Sequence, residues 1–229
     1  MIRQGHGGIS IQISIDGPAG AGKSSIASAI ARKLGFIHID TGAMYRALTW
    51  LAIERSVDLR DADALTKLAQ SADISFAPGG LDGAQRVFCE GQEVTADIRS
   101  ITVSEAVSRV SAVAGVRDAL VEAQRRLAAG QDVVMDGRDI GTVVLPQAIC
   151  KIYLTASAEE RARRRLRDRE DAGEGQSLAE IIEEIEKRDS EDANRSYNPM
   201  RPAADSIIID TTSLSFQDTL DTIIALVPR

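Results

Sequence analysis

Gly17-Pro18-Ala19-Gly20-Ala21-Gly22-Lys23-Ser24 stands between an apolar run, Ile9 to Ile15 closed by Asp16, and a helical pattern. These residues fit G-x-x-x-x-G-K-[S/T], and the strand–loop–helix context gives that pattern its meaning. The glycines let the backbone bend so that successive N–H groups point inward at phosphate oxygens. A helix starting near Lys23 adds its positive end. Lys23 can reach the β- and γ-phosphates of a triphosphate, and the Ser24 hydroxyl can bind Mg²⁺. The motif implies a nucleoside triphosphate on Gly17 to Ser24 and the following Ser25, but it does not name an acceptor, because switches and motors share it. A guanine-reading switch would usually carry Asn-Lys-x-Asp, which does not occur here, and 229 residues are short for a motor.

Working outward, three further apolar runs stop at a carboxylate: Phe36 to Ile39 at Asp40, Val133 to Met135 at Asp136, and Ile207 to Ile209 at Asp210. Another, Lys151 to Leu154, stops at Thr155. Helical patterns separate most of these runs, which predicts an α/β fold with a parallel sheet. Ligands in such sheets bind beyond the carboxyl ends of the strands, where these acids collect. After Lys23, Ile26, Ala27, Ile30, Ala31 and Leu34 share one helix face, closed by Gly35. Val116, Leu120, Ala123 and Leu127 mark another helix, closed by Gly130.

Two regions break the alternation. Short strand-like pieces at Ile74–Phe76, Val87–Cys89 and Glu93–Val94, with turns at Gly79–Gly83 and Glu90–Gln92, predict a small antiparallel insertion. Ala156 to Gln176 is crowded with arginine, including Arg161, Arg163, Arg164, Arg165, Arg167 and Arg169, and ends in a Gly-containing stretch at Gly173 and Gly175. Such a segment reads as a lid, open without ligand, that closes over ATP and excludes water, with Arg161 and Arg165 as its ATP contacts. A solvated face or an RNA contact is the other account of its charge.

The net charge of −7 gives nucleic acid little general attraction, so an anionic acceptor must meet a local basic cluster. Several candidates exist. Arg46, in Asp40-Thr41-Gly42-Ala43-Met44-Tyr45-Arg46, is either solvated or grips a phosphate. Tyr45 is either core or ligand contact, and Thr41 can cap the helix while touching a ligand. Asp136-Gly137-Arg138-Asp139 follows a strand directly, and Asp136 is placed to hold Mg²⁺ through water, although Arg138 and Asp139 could form only a loop salt bridge. Ser177 and Glu180 form a capping box, after which Ile181, Ile185, Arg188, Asp192 and Arg195 lie on one helix face. An apolar stripe there turns into a charged one, which is either a surface ion pair or the wall of a polar cleft.

Met1 to Gly8 is polar and Gly-rich and reads as a loose tail rather than a signal peptide. No apolar run approaches the roughly 20 residues of a membrane span. Cys89 and Cys150 sit in no metal-like spacing and read as reduced, buried thiols of a cytoplasmic protein.

Together these segments resemble the bacterial cytidylate kinase family, a branch of the nucleoside monophosphate kinases. The likeness covers nearly the whole chain after residue 8. Asp-Gly-Arg-Asp-Ile-Gly-Thr at 136–142 with the long insertion is its most specific part. The resemblance implies a five-stranded parallel sheet with helices on both faces, formed by 9–67, 108–155 and 199–229. It implies a CMP-binding insertion at 68–107, and a helical lid with its following helix at 156–198. It further implies that Ser108, Arg117 and Asp139 read the cytosine ring, that Arg46, Arg138 and Arg195 hold the acceptor phosphate, and that Arg188 and Asp192 lie near the sugar. Ser24-Ser25 stands where the family has Gly-Thr or Ser-Thr, and serine keeps the hydroxyl. The expected reaction moves a phosphoryl group from ATP, with Mg²⁺, to CMP and also dCMP, in a monomer with no membrane or stable nucleic-acid partner. Lys23, Asp136, Arg138 and Arg188 are the expected catalytic groups. The rivals are a kinase acting on UMP, dTMP or a metabolite, and a nucleotide-dependent RNA-binding module.

Overall fold

The computed structural model describes residues 10–77, 85–171 and 176–228, without the side chains of 168–171. The expected tail at 1–8, the turn at Gly79–Gly83, and the lid glycines Gly173 and Gly175 lie outside these residues, as does the side chain of Arg169.

The chain runs β1 (Gln12–Asp16), α1 (Lys23–Leu34), β2 (Ile37–Asp40), α2 (Thr41–Glu54), α3 (Ala62–Ser71), β3 (Ile74–Ala77), β4 (Arg86–Cys89) and β5 (Gln92–Glu93). It continues through α4 (Ile101–Ser111), α5 (Ala114–Ala128), β6 (Val133–Gly137), β7 (Cys150–Thr155), α6 (Ala158–Asp171), α7 (Leu178–Ala193), β8 (Ile207–Asp210) and α8 (Phe216–Leu226). The apolar runs of the sequence are the strands of a five-stranded sheet in the order β2-β6-β1-β7-β8, and all its pairings are parallel. β1 lies at the centre, where Ile13 and Ile15 are inaccessible to solvent.

The register lines up Asp16 with Gly137 and Asp40 with Asp136, so three strand-ending acids meet at one end of the sheet. Asp210 does not join them. On the edge strand it is exposed and accepts hydrogen bonds from the Thr212 backbone and hydroxyl, closing its own turn.

Helix α1 buries Ile26, Ala27 and Ile30 against the sheet, and Gly35, at φ 74°, ends it in the left-handed conformation. The second sheet is the antiparallel β3-β4-β5. It shares an apolar core with α2, α3, α4 and α5 through Leu48, Leu65, Val87, Cys89, Val110 and Leu120. α7 starts on the expected capping box at Ser177 and Glu180. Its Ile181 and Ile185 pack with Ala162 of α6, which orients the polar turn beyond them. No helix among the described residues is long and apolar enough to cross a membrane.

Candidate active site

The phosphate loop connects β1 to α1. Gly17 has φ 143°, and a Cβ there would stand 2.0 Å from the Leu154 carbonyl oxygen on β7, so only glycine lets the loop leave the sheet so closely. Lys23 is buried at the base of α1 and donates through Nζ to the Pro18 carbonyl at 2.8 Å. Burial pulls its pKa down to about 7, with the cations of Arg138 and Arg188 adding to the fall and Asp136 and Asp189 opposing it.

Asp136, the penultimate residue of β6, lies beside this loop. Its Oδ2 accepts from the Ser24 hydroxyl at 2.6 Å, and its Oδ1 lies 2.7 Å from His38 Nε2. Burial lowers the basicity of His38, but the hydrogen bond and charge of Asp136, with Asp40, outweigh it and hold the imidazole above its ordinary pKa. Thr41 Oγ1 donates to the Asp136 carbonyl at 2.7 Å, so Thr41 ties α2 to β6. Asp40 itself caps α2, accepting from the Ala43 N–H at 3.0 Å. One hydroxyl and one carboxylate, both oxygen donors side by side, form the sparse set that suits Mg²⁺, which keeps several waters and takes its other ligands from phosphates.

Across from the loop, arginines converge from remote segments. Arg138 donates to the Gly17 carbonyl at 3.0 Å and to Asp192 Oδ2 at 2.9 Å. Arg195, just past the end of α7, pairs with Asp192 at 3.3 Å and donates to the Asn198 carbonyl. Arg46 on α2 is held by the Ser104 hydroxyl at 2.8 Å and by the Ile98 carbonyl. Arg188 joins them from α7, and among the described residues the buried Nε atoms of Arg188 and Arg195 have no hydrogen-bond partner.

The like charges are felt here. Burial, then Arg138 and Arg46, push Arg188 down to about 9. Burial, then Arg165, push Arg46 down to about 10. The Asp192 carboxyl is held below its ordinary pKa, because Arg138, Arg195 and Arg188 together outweigh its burial.

A third group lies beside these arginines. Arg117 on α5 is 2% exposed, donates to Asp139 Oδ2 at 2.5 Å and lies 5.3 Å from the centre of the Tyr45 ring. Burial raises Tyr45 to about 12. Ser108 is half-buried on α4, and its carbonyl accepts from the Ser111 hydroxyl.

The described part of the arginine-rich segment is helix α6, and its arginines are largely paired. Arg163 pairs with Glu159, Arg164 with Glu160, and Arg165 with Glu184. Arg161 is buried and bonds the Ala156 and Ala19 carbonyls. The like-charge repulsion read from the sequence is offset by glutamates one turn away and on α7, and Arg161 ties the base of α6 to the phosphate loop. Arg165 stands close enough to Arg46 and Arg188 to lower both.

Several residues at this site were not singled out by their sequence pattern. Asp16 accepts from the Ile140 and Gly141 N–H groups, each at 2.7 Å, and so shapes the loop that carries Arg138 and Asp139. Burial raises its pKa to about 6 despite those bonds. His38, Ser104 and Asp189 are the others. The only trace in the sequence was the position of Asp16 at a strand end.

These features define a phosphate-loop kinase site, with a donor loop facing a cluster of arginines. The cytidylate kinase family model matches residues 13–229. The chain is 50% identical over 216 residues to a cytidylate kinase of Desulfitobacterium hafniense (strain Y51), covering 94% of this chain and 92% of that protein. It is 48% identical over 214 residues to the cytidylate kinase of Limosilactobacillus fermentum, covering 93% of each. A crystal structure of an uncharacterized protein from Eubacterium ventriosum shares the fold, with a TM-score of 0.54 at 12% identity, covering 96% of this chain and 98% of that one. The chain belongs to the cytidylate kinase family.

Proposed function

We infer that this protein transfers the γ-phosphoryl group of ATP to CMP, and to dCMP, giving ADP and the cytidine diphosphate. The observation that carries this reading is the arginine cluster facing the phosphate loop. Among the described residues the buried Nε atoms of Arg188 and Arg195 have no partner, and both cations are destabilised first by burial and then by neighbours of the same sign. A site with surplus buried positive charge fits an anion, and the family supplies the identity of that anion.

A phosphate oxygen of CMP is already charged at neutral pH, so the protein needs no covalent nucleophile. That oxygen bonds to the γ-phosphorus as the bond to the bridging oxygen of ADP breaks. Lys23 and the loop N–H groups hold the donor, and Arg46, Arg138 and Arg195 hold the acceptor phosphate. The rate gain is alignment plus charge stabilisation. Mg²⁺, held through Ser24 and Asp136, would neutralise charge on the donor phosphates. Asp136, already accepting from Ser24 and facing His38, acts as a metal-shell acid rather than a general base.

Asp139 and Arg117, locked to each other beneath Tyr45, suit reading the cytosine edge together with Ser108, while Arg188 and Asp192 lie toward the sugar. Two free, buried cysteines fit a reducing compartment such as the cytoplasm. An ADP-release assay over CMP, dCMP, UMP and dTMP tests the reading. Turnover with the cytidine pair well above the others is expected, and preference for UMP or dTMP would overturn it.

A further inference from the structure

Helix α7 carries neighbouring residues that face different parts of the site. Arg188 joins the acceptor arginines, whereas Asp189 reaches the phosphate loop. Asp189 Oδ1 accepts from the Ala19 N–H at 3.0 Å, and Oδ2 accepts from Arg161. The same nitrogen of Arg161 donates to the Ala19 carbonyl at 2.9 Å. One residue of the loop, Ala19, is thereby gripped at both its N–H and its C=O by a closed triangle whose two side chains are largely buried, at 9% and 16% exposure. The fit is close. A Cβ at Gly20 would meet the Arg161 carbonyl oxygen at 3.0 Å and the Arg161 Cβ at 3.1 Å.

The second tie between α7 and the loop runs through Arg138, which links Asp192 to the Gly17 carbonyl. With α7 already packed on α6 through Ile181 and Ile185, a single tie would fix only one distance between the loop and the polar end of α7. Ties from Asp189 to Ala19 and from Asp192 to Gly17, each offset along its own segment, fix both distance and angle.

We propose that Asp189, with Arg161, is a positioning residue that sets the spacing and angle between the donor loop and the acceptor arginines. The inference rests on the kinase reading of the site. In-line transfer tolerates little error, since a displacement of about 1 Å can cost roughly 100-fold in rate. Asp189 touches neither substrate in this scheme, so its loss should leave the binding groups in place and damage their alignment. Water then competes with CMP for the γ-phosphorus, giving ADP and inorganic phosphate.

The test compares the wild type with Asp189→Asn, Asp189→Ala, Arg161→Ala and the double alanine variant. Asp189→Ala should lower kcat by roughly 10- to 100-fold while KM for ATP and CMP stay within roughly 3-fold, and should raise phosphate released per CDP formed. Asp189→Asn keeps an acceptor for Ala19 but turns an amide N–H₂ toward Arg161, so it should fall between. The double variant should be little worse than the more impaired single variant, because both residues belong to one triangle.

Amide exchange at Ala19, measured without nucleotide, is the readout that needs no acceptor, and Asp189→Ala should speed it. If the wild type turns over no CMP, the function reading fails, and Ala19 exchange alone then decides whether the tie exists. An Asp189→Ala enzyme with kcat within 2-fold of wild type, or with both KM values rising while kcat and coupling hold, overturns the proposal. So does unchanged exchange at Ala19. A melting temperature lowered equally in Asp189→Asn, with coupling intact, would reduce Asp189 to a structural contact and overturn it as well.

Discussion

The phosphate loop and the arginine cluster face each other across one cleft, yet they are built in opposite ways. The loop is one continuous segment whose main polar groups are backbone N–H, and two of its backbone groups are tied within the protein, Ala19 to Asp189 and Gly17 to Arg138. The cluster is assembled from α2, the loop after β6, and α7 with its end. Its groups are full charges that repel, and some of its buried donors are unmatched. The loop groups named above find partners within the protein, so their polarity is satisfied by the fold itself. A guanidinium cluster cannot relax in the same way, so its stability is completed by the anion it binds. On the proposed reading, the donor side is ordered by geometry and the acceptor side by charge.

The largest test of this contrast is Lys23→Ala. Lys23 is the charged side chain at the base of the loop, and its loss should lower kcat by roughly 1,000-fold with the melting temperature held or raised, because a buried cation is removed. Near-normal turnover in the folded variant would place donor binding elsewhere.

Arg188→Met probes the acceptor side, where function and stability should part company. Losing a charge-assisted contact should lower kcat/KM for CMP by roughly 10- to 150-fold. Relief of like-charge crowding should raise the melting temperature by about 2–4 °C, the equivalent of about 1 kcal/mol. A fall in melting temperature would mean that the cluster is balanced without its anion.

Asp16, which shapes the loop bearing Arg138 and Asp139, gives a pH signature. Its pKa lies at about 6 in the folded protein against 3.8 for an ordinary aspartate. Between those values the native state holds more protons than the unfolded chain. The contribution of Asp16 is therefore full below the lower value and is lost as pH rises through about 6. The stability advantage of the wild type over Asp16→Asn should shrink by at most about 2 kcal/mol from pH 4 to pH 7 in denaturant titrations. A constant or growing advantage contradicts the assignment.

Smallest of all should be Arg163→Ala. Arg163 is exposed on α6 and pairs with Glu159 in solvent, so stability should move by less than about 0.5 kcal/mol and kcat by less than about 2-fold. A larger effect would bring the outward face of the arginine-rich helix into the site.

The same contrast explains what could be read from the sequence. The phosphate loop is legible because its function is local, with glycines, lysine and serine in consecutive positions. The five strands were visible as apolar runs, and the polar turn of α7 as a change in character along one stripe. The pairing of α6 with α7 was not visible, because it depends on Glu184 and Asp189 from another helix. Asp189 and Ala19 are 170 residues apart, Asp16 and Ile140 are 124 apart, and His38 and Asp136 are 98 apart. No spacing rule connects residues joined only by the crossing of helices and the order of strands. Asp210 misled for the same reason: its strand ends in an acid like the others, but the sheet order puts it on the outer edge.

The central claim is that the loop delivers phosphate to an acceptor bound by the arginines. Chromatographic product analysis with ATP, Mg²⁺ and CMP tests it most directly. The account predicts one CDP formed for each ATP consumed, with negligible free phosphate. ATP consumed without CDP, or CDP yields no greater than those of UDP from UMP under the same conditions, would contradict it.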